Sequence, residues 1–202
     1  MSKSIKIYKF FPQPVFYYKL DDYKKHNKDL SKHIYNLQAL DKEGLQRSNV
    51  GGWHSKPFNL KDKISAPFRF FVETQKYVAD VFKEYGWTYT PEKVNLTEMW
   101  AIINKKNNFN IEHTHPNNFL SAAYYVKAPE NSGSFRVTNP NTISRERITK
   151  SDTRTDLNQN VGQIIPKEGD LLIFPAYLPH SVGQNLSDED RIIISFNIDI
   201  LK

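Results

Sequence analysis

Two periodicities divide the chain. Before Trp87 the apolar positions recur mostly at helical spacing, and after it they fall in short runs separated by polar turns. Tyr23, Leu30, Ile34 and Leu37 keep the helical period behind the acidic pair Asp21-Asp22, which suits a helix N-terminus. Gly44 marks the expected stop. The opposite face, with Lys24, Lys25, Lys28 and Lys32, reads as solvated. A second helix is expected to enter at Ser65-Ala66-Pro67, with Ser65 as cap and the proline in the first turn. Its stripe of Phe68, Phe71, Val72, Val78, Val81, Phe82 and Tyr85 predicts a core helix lying across a sheet, ended by Gly86. Ahead of both helices, residues 5–10 alternate and predict a strand. Pro12 and Pro14 interrupt it, and residues 15–20 resume extended.

In the second half the pattern predicts strands at 88–90, 94–103, 111–113, 119–127, 134–137, 161–165, 171–174, 180–184 and 191–200. Turns are marked by Asn107-Asn108, Asn131-Ser132-Gly133 and the polar groups at 167–170 and 187–190. Helices confined to the first half and strands filling the second predict a mainly β fold with flanking helices. Its core would be a double-stranded β-helix, a cupin-like jelly roll. With 202 residues the chain supports one domain with a full core and is too short to favour two. Residues 1–86 would supply an N-terminal strand and supporting helices, and residues 87–202 the jelly-roll core. The segment 139–160 is long and polar, with Arg145, Arg147, Lys150 and Arg154, and its length predicts a lid or a mobile loop.

Composition narrows the chemistry. The chain has no cysteine, which excludes disulfides and thiolate ligands and leaves histidine, carboxylate or water to hold any metal. The 28 Lys and Arg against 22 Asp and Glu give a net charge of +6. These basic residues are scattered, with no stripe interleaved with aromatics, so nucleic-acid binding is not expected. No run approaches a membrane span and the N-terminus lacks a signal-peptide core, so neither a membrane nor secretion is expected.

The candidate chemistry gathers on a few residues. His113 and His115 lie two apart in Ile111-Glu112-His113-Thr114-His115-Pro116, so on an extended segment both imidazoles would face one point. His180 follows the buried-strand pattern of 171–174, and Arg191 comes eleven residues later at the head of Arg191-Ile192-Ile193-Ile194-Ser195-Phe196-Asn197. Two histidines close together, one far away and an arginine after it is an order that suits a metal-dependent oxygenase. His113 and His180 are read as metal ligands. His115 is either the third ligand or a residue that orients substrate or another ligand, because Glu112 points to the wrong side to serve. His54, in a glycine-rich loop beside Trp53, reads as a hydrogen-bonding group rather than a ligand. On the last strand Arg191, Ser195 and Asn197 share one face and Ile192, Ile194, Phe196 and Ile198 the other. An inward arginine needs a polar partner, which a dicarboxylate would supply and a salt bridge to the acidic turn at 187–190 would also supply. Trp100 and Asn104 share a face of a neighbouring strand and are candidates for a pocket wall, as is one of Tyr124 and Tyr125. Core packing is the reading preferred for Trp100.

The motif order resembles the 2-oxoglutarate/Fe(II)-dependent dioxygenases. Ser48-Asn49-Val50-Gly51-Gly52-Trp53-His54-Ser55, Trp100-Ala101, His113-Thr114-His115-Pro116, Ser121-Ala122-Ala123-Tyr124-Tyr125-Val126, Gly169-Asp170-Leu171-Leu172 and the Arg191 strand are similar to a group of such oxygenases from bacteria and phages. The resemblance spans roughly residues 45 to 200. It implies iron(II) at His113 and His180, with 2-oxoglutarate's far carboxylate on Arg191 and Ser195, and Asn104 and Tyr125 as further cosubstrate contacts. His115 stands where the superfamily usually has Asp or Glu. The implied reaction uses O2 to hydroxylate an unidentified substrate, releasing succinate and CO2, in the cytoplasm of a bacterium or a phage-infected host. The competing reading is a non-catalytic, cupin-like jelly roll that binds metal or ligand. The sequence leaves open the prime substrate and whether the chain forms a homo-oligomer.

Overall fold

The computed structural model describes residues 5–146 and 150–201. Its core is a pair of antiparallel sheets in jelly-roll arrangement, with two long helices packed on the outside of one of them. The elements run β1 (Phe16–Lys19), α1 (Tyr23–Leu40), β2 (Asn49–Val50), β3 (Trp53–His54), α2 (Ala66–Glu84), β4 (Val94–Asn104), β5 (Phe109–His113), β6 (Leu120–Lys127), β7 (Phe135–Thr138), α3 (Thr142–Glu146), β8 (Val161–Ile164), β9 (Asp170–Pro175), β10 (His180–Val182) and β11 (Arg191–Ile200). The larger sheet has the order β1-β9-β6-β11-β4-β3, and the smaller β2-β5-β10-β7-β8.

The two faces of the central strand β11 explain the layering. Ile192, Ile194, Phe196 and Ile198 are buried with Leu30 and Ile34 of α1 and Phe70, Val78, Val81 and Phe82 of α2. Ile193 points the other way, into a smaller core with Tyr125, Phe135, Phe174 and Val182 between the sheets. Period-two alternation thus sends one face of β11 to the helices and the other to the interior. Tyr124 and Tyr125 divide in the same way: Tyr124 packs on Phe70 and donates to Asn27 Oδ1 at 2.6 Å, while Tyr125 faces inward.

The helices depart from expectation in detail. Ser65 caps α2 by accepting from the Phe68 N–H at 3.3 Å. The buried stripe of α2 is Pro67, Phe70, Thr74, Tyr77, Val78, Val81 and Phe82, and Val72 is 54% exposed. Two aromatic residues, Phe70 and Tyr77, therefore replace Val72 on the core face. Helix α1 stops at Leu40, before Gly44, when the Asp41 N–H turns back to the Leu37 carbonyl. Gly44 serves elsewhere: at φ +62° it lies against the Trp53 ring and the His54 carbonyl, where a Cβ would have no room.

Residues 5–10 form no strand. They lie exposed along the surface, because alternation alone does not make a strand without a ladder partner. Residues 88–90 likewise run irregularly into the 3-10 turn Pro91–Lys93. The two-residue strands β2 and β3 were not expected. They pair with β5 and β4, so the first 86 residues complete both sheets, as β1 also does on β9. In the long loop, Asn139 N–H bonds the Asn160 carbonyl at 2.8 Å and the short α3 follows. Arg147 lies outside the described residues.

Candidate metal and cosubstrate site

The site is built where the small sheet meets the end of β5. His113 and His180 are direct cross-strand partners on β5 and β10, with ring centroids 4.3 Å apart. The strand ends at His113, as the expected range 111–113 had it, and His115 lies beyond it. It sits in the following segment, pinned by its own N–H to the Ala176 carbonyl at 2.9 Å. The imidazoles still converge: one ring nitrogen from each of His113, His115 and His180 lies within 4.8 Å of the others. Glu112 points outward, is exposed, and accepts from the Thr138 hydroxyl.

Two of the three rings are held in one tautomer. His113 Nδ1 lies 2.8 Å from the Ile111 carbonyl, and His180 Nδ1 lies 2.9 Å from the Leu178 carbonyl. A carbonyl can only accept, so each Nδ1 carries the proton and each Nε2 keeps a lone pair for a metal. Burial also holds these rings neutral. It pushes His180 down to about 3, with His113 adding to the effect, and His115 down to about 4, with His113 and His54 adding. His113 is lowered too, again by burial. Three neutral imidazole donors this close suit a borderline cation such as iron(II) and leave positions open on it.

A cavity of about 720 Å³ opens over these rings. Trp100, Ala123, Ile193, Ser195 and Asn197 line it from the large sheet, and Asn110, Phe135 and Val182 from the small one. Trp100 is thus a wall residue rather than core filler alone. Its face stacks on His54 at 5.6 Å and 11°, and its buried Nε1 has no partner. His54 lines the cavity, is buried, and donates from Nδ1 to the Ser55 carbonyl at 2.7 Å. It is not among the clustered donors. No described residue of the 139–160 loop lines the cavity.

Arg191 is fully buried at the start of the inward face of β11, and neither it nor Tyr125 lines the cavity itself. Its Nη1 donates to the Ser132 carbonyl and, at 2.7 Å, to the Gly183 carbonyl. Among the described residues Nε and Nη2 have no partner, and neither does the buried Tyr125 hydroxyl. The acidic turn does not supply one, because Asp188 pairs with Lys106, Glu189 with Lys127, and Asp190 accepts from Tyr35. Burial lowers Arg191 to about 10, and Tyr125 opposes that shift, so the guanidinium keeps its charge at neutral pH. A buried cation with its side-on edge free and a phenol beside it is the donor set a carboxylate fills.

Asn104 pairs with Arg191 across β4 and β11 and is buried, but it does not line the cavity. Its Nδ2 donates to Asn110 Oδ1 at 2.9 Å, and Asn110 in turn donates to Ser48 Oγ at 3.2 Å. Ser48 Oγ lies 3.4 Å from His113 Nε2. The glycine-rich loop makes this chain of contacts feasible. A Cβ on Gly52 would sit 2.0 Å from Asn104 Oδ1, and buried Asn49 holds the loop by donating to the Gly52 carbonyl at 2.6 Å. Ser48 and Asn110 were not anticipated from the sequence, since nothing in their spacing relates residue 48 to residue 113.

The comparisons with known proteins agree with this geometry. Residues 98–197, which hold all three histidines and Arg191, match the model of a family described as "Putative 2OG-Fe(II) oxygenase". Through that half, the chain belongs to the 2OG-Fe(II) oxygenases. Its cofactors are accordingly iron(II) and 2-oxoglutarate, and its co-reactants O2 and a prime substrate. Solved structures share the oxygenase's fold at low identity. A prolyl-4-hydroxylase from Pseudomonas putida superposes with a TM-score of 0.65 at 10% identity, covering 94% of each chain. HygX from Streptomyces hygroscopicus, with nickel and 2-oxoglutarate bound, gives 0.64 at 12%, covering 93% of this chain and 83% of its own. A viral collagen prolyl hydroxylase from Paramecium Bursaria Chlorella virus-1 gives 0.57 at 16%, covering 90% and 94%. None of the curated proteins matches the sequence.

Proposed function

We propose that this oxygenase hydroxylates a C–H bond of a substrate bound in the cavity, with His113, His180 and His115 holding iron(II). Arg191 and Tyr125 bind the far carboxylate of 2-oxoglutarate, and Ser195 stands on the cavity wall, four residues along β11 from Arg191. The iron and its keto acid, when bound, activate O2 so that one oxygen atom goes to the substrate and the other to succinate as CO2 leaves. The protein's own part is to hold the donors neutral, to orient the cosubstrate by a fixed cation, and to exclude water behind Phe135, Phe174 and Ile193. Asn104 acts one step back, through Asn110, in placing the Ser48 hydroxyl against His113 Nε2, a contact that bound metal would replace.

The observation that carries this reading is the free edge of Arg191. A metal-binding jelly roll without a cosubstrate has no use for a buried guanidinium lacking a counter-ion, which costs stability. The neighbours' names include hydroxylases and an epimerase from nogalamycin biosynthesis, so product analysis has to separate the outcomes. Anaerobic addition of iron(II) and then 2-oxoglutarate should produce a weak visible charge-transfer band. Admitting O2 should then yield succinate, and with the right substrate a product heavier by one oxygen atom. Iron-loaded protein that neither binds nor consumes 2-oxoglutarate would leave the non-catalytic binder as the reading.

We also propose that the 202 residues work as one unit, because β1, β2 and β3 of the first part complete the sheets of the second. No described helix is long and apolar enough to cross a membrane. Together with the scattered basic residues, this favours action on a dissolved substrate in the cytoplasm rather than on nucleic acid or a bilayer.

A further inference from the structure

His115 differs from the other two histidines in how its ring is held. His113 and His180 each donate Nδ1–H to a carbonyl two residues back, which leaves Nε2 for the metal. His115 has no such carbonyl. Its Nδ1 faces the side chain of Asn197, whose Nδ2 lies 3.4 Å away, while Asn197 Oδ1 accepts from the Ser121 hydroxyl at 2.8 Å. With Nδ2 toward the ring the amide can only donate, which makes Nδ1 the acceptor and puts the proton on Nε2. A protonated Nε2 cannot bind a metal. The two halves of an amide are nearly the same size, and a hydroxyl both donates and accepts. A half-turn of the Asn197 amide therefore keeps every partner: Oδ1 accepts Nδ1–H from His115, Nδ2 donates to Ser121, and His115 Nε2 gains its lone pair.

We infer that Asn197 is a positioning residue whose amide orientation decides whether His115 is the third metal ligand. Resting on the iron-site reading above, the metal-bound protein has the turned amide, and Ser121 is the hydroxyl that tolerates either orientation. Both residues are suited to the task. Asn197 is 5% exposed and Ser121 2%, and β11 and β6 hold them in register as direct partners. The device replaces a backbone carbonyl by a side chain that can turn, at the one histidine that lies beyond the end of its strand.

The test uses the whole protein and reads the metal-free state first. Two-bond 15N–1H spectra assign the tautomer of each histidine, and cobalt(II) titration gives affinity and, from the ligand-field spectrum, the number of imidazole donors. Asn197→Asp offers only acceptors, so it should fix His115 as Nδ1–H and bind cobalt(II) at least as tightly as wild type. Asn197→Leu offers neither, and should release the tautomer and weaken cobalt(II) binding about 10- to 100-fold, with the spectrum of a two-imidazole site. An Asn197→Leu protein with unchanged affinity and three imidazole donors overturns the inference. If that variant fails to fold, Asn197→Asp decides alone, since weaker binding or an Nε2–H tautomer there overturns it equally. His180→Ala serves as the control. If it too leaves cobalt(II) binding intact, the metal site itself is wrong, whereas loss there with no effect at Asn197 removes only this inference.

Discussion

The two ends of the proposed site stand in the same kind of environment and respond to it in opposite ways. His180 is 4% exposed and Arg191 is fully buried, and in both burial is the largest influence on protonation. The imidazole begins near 6.5 and falls to about 3, so it is neutral under physiological conditions. The guanidinium begins so high that a fall to about 10 leaves it charged. One apolar interior thus yields neutral donors at one end and a fixed cation at the other. A ligand that satisfies both must present a cation to the histidines and an anion to the arginine. Iron(II) chelated by a dicarboxylate has both.

The comparison breaks most completely at the histidine end. His180→Ala removes a donor whose Nε2 has no substitute nearby, so stoichiometric iron binding and all 2-oxoglutarate consumption should be lost by metal analysis and succinate assay. Retention of one iron per chain in that variant would contradict the assignment of the cluster. At the other end the effects should separate. Arg191→Met should bind iron normally and lose 2-oxoglutarate affinity by a factor on the order of 100, as expected when one partner of a buried charge pair is removed. Arg191→Lys keeps the charge without the fork and should lose roughly tenfold. Thermal shift reads this directly, since 2-oxoglutarate should raise the Tm of iron-loaded wild type and not that of the methionine variant. Equal losses of iron and cosubstrate in Arg191→Met would mean that the two ends are not independent.

A smaller effect sharpens the histidine end. His115→Asp replaces a neutral donor with a charged one in a site already short of negative charge. Iron(II) affinity should rise by a factor on the order of 10, because a carboxylate at close range adds Coulomb attraction in a buried setting. Weaker binding, measured by competition with a chelator, would show that the imidazole's length is needed to reach the ion.

Much of this arrangement was legible in the sequence because it rests on short-range rules. The alternation in residues 191–198 gave both faces of β11, and the same rule separated Tyr124 from Tyr125 once the direction of the helices was known. His113 and His180 could be read from their place at strand ends. The helix stripe wrongly took in Val72 and missed Phe70 and Tyr77, because these two are chosen by the residues they meet, Tyr124 and Tyr18, which lie far away in the chain. The strand expected at residues 5–10 failed for the same reason, since a ladder partner is a long-range fact. The Ser48–Asn110–Asn104 contacts and the meeting of Asn197 with His115 were equally hidden. Each joins elements from different sheets or distant loops, and asparagine and serine carry no periodic signal of their own.

The smallest effect tests the neutral end through its protons. In the unfolded chain a histidine titrates near 6.5, whereas in the folded metal-free protein His115 and His180 sit at about 4 and about 3, and His113, His54 and, away from the site on α1, His33 are also lowered. Between those values the unfolded state binds more protons than the folded one, so stability falls as pH falls. The stability of the metal-free protein should therefore be flat with respect to these groups above about pH 7 and decline from about pH 6.5 downward. Carboxylates titrate mainly nearer pH 4, so the window between about pH 6.5 and about pH 5 isolates the imidazoles. Urea midpoints across that window should fall steadily, and less steeply in His115→Gln, which removes one of the groups. Saturating metal should move the decline to lower pH, because a bound ion competes with the proton for the same lone pairs. A midpoint that stays constant across the window in metal-free wild type would mean that the rings accept protons in the folded state. The neutral end of the site would then not exist as described.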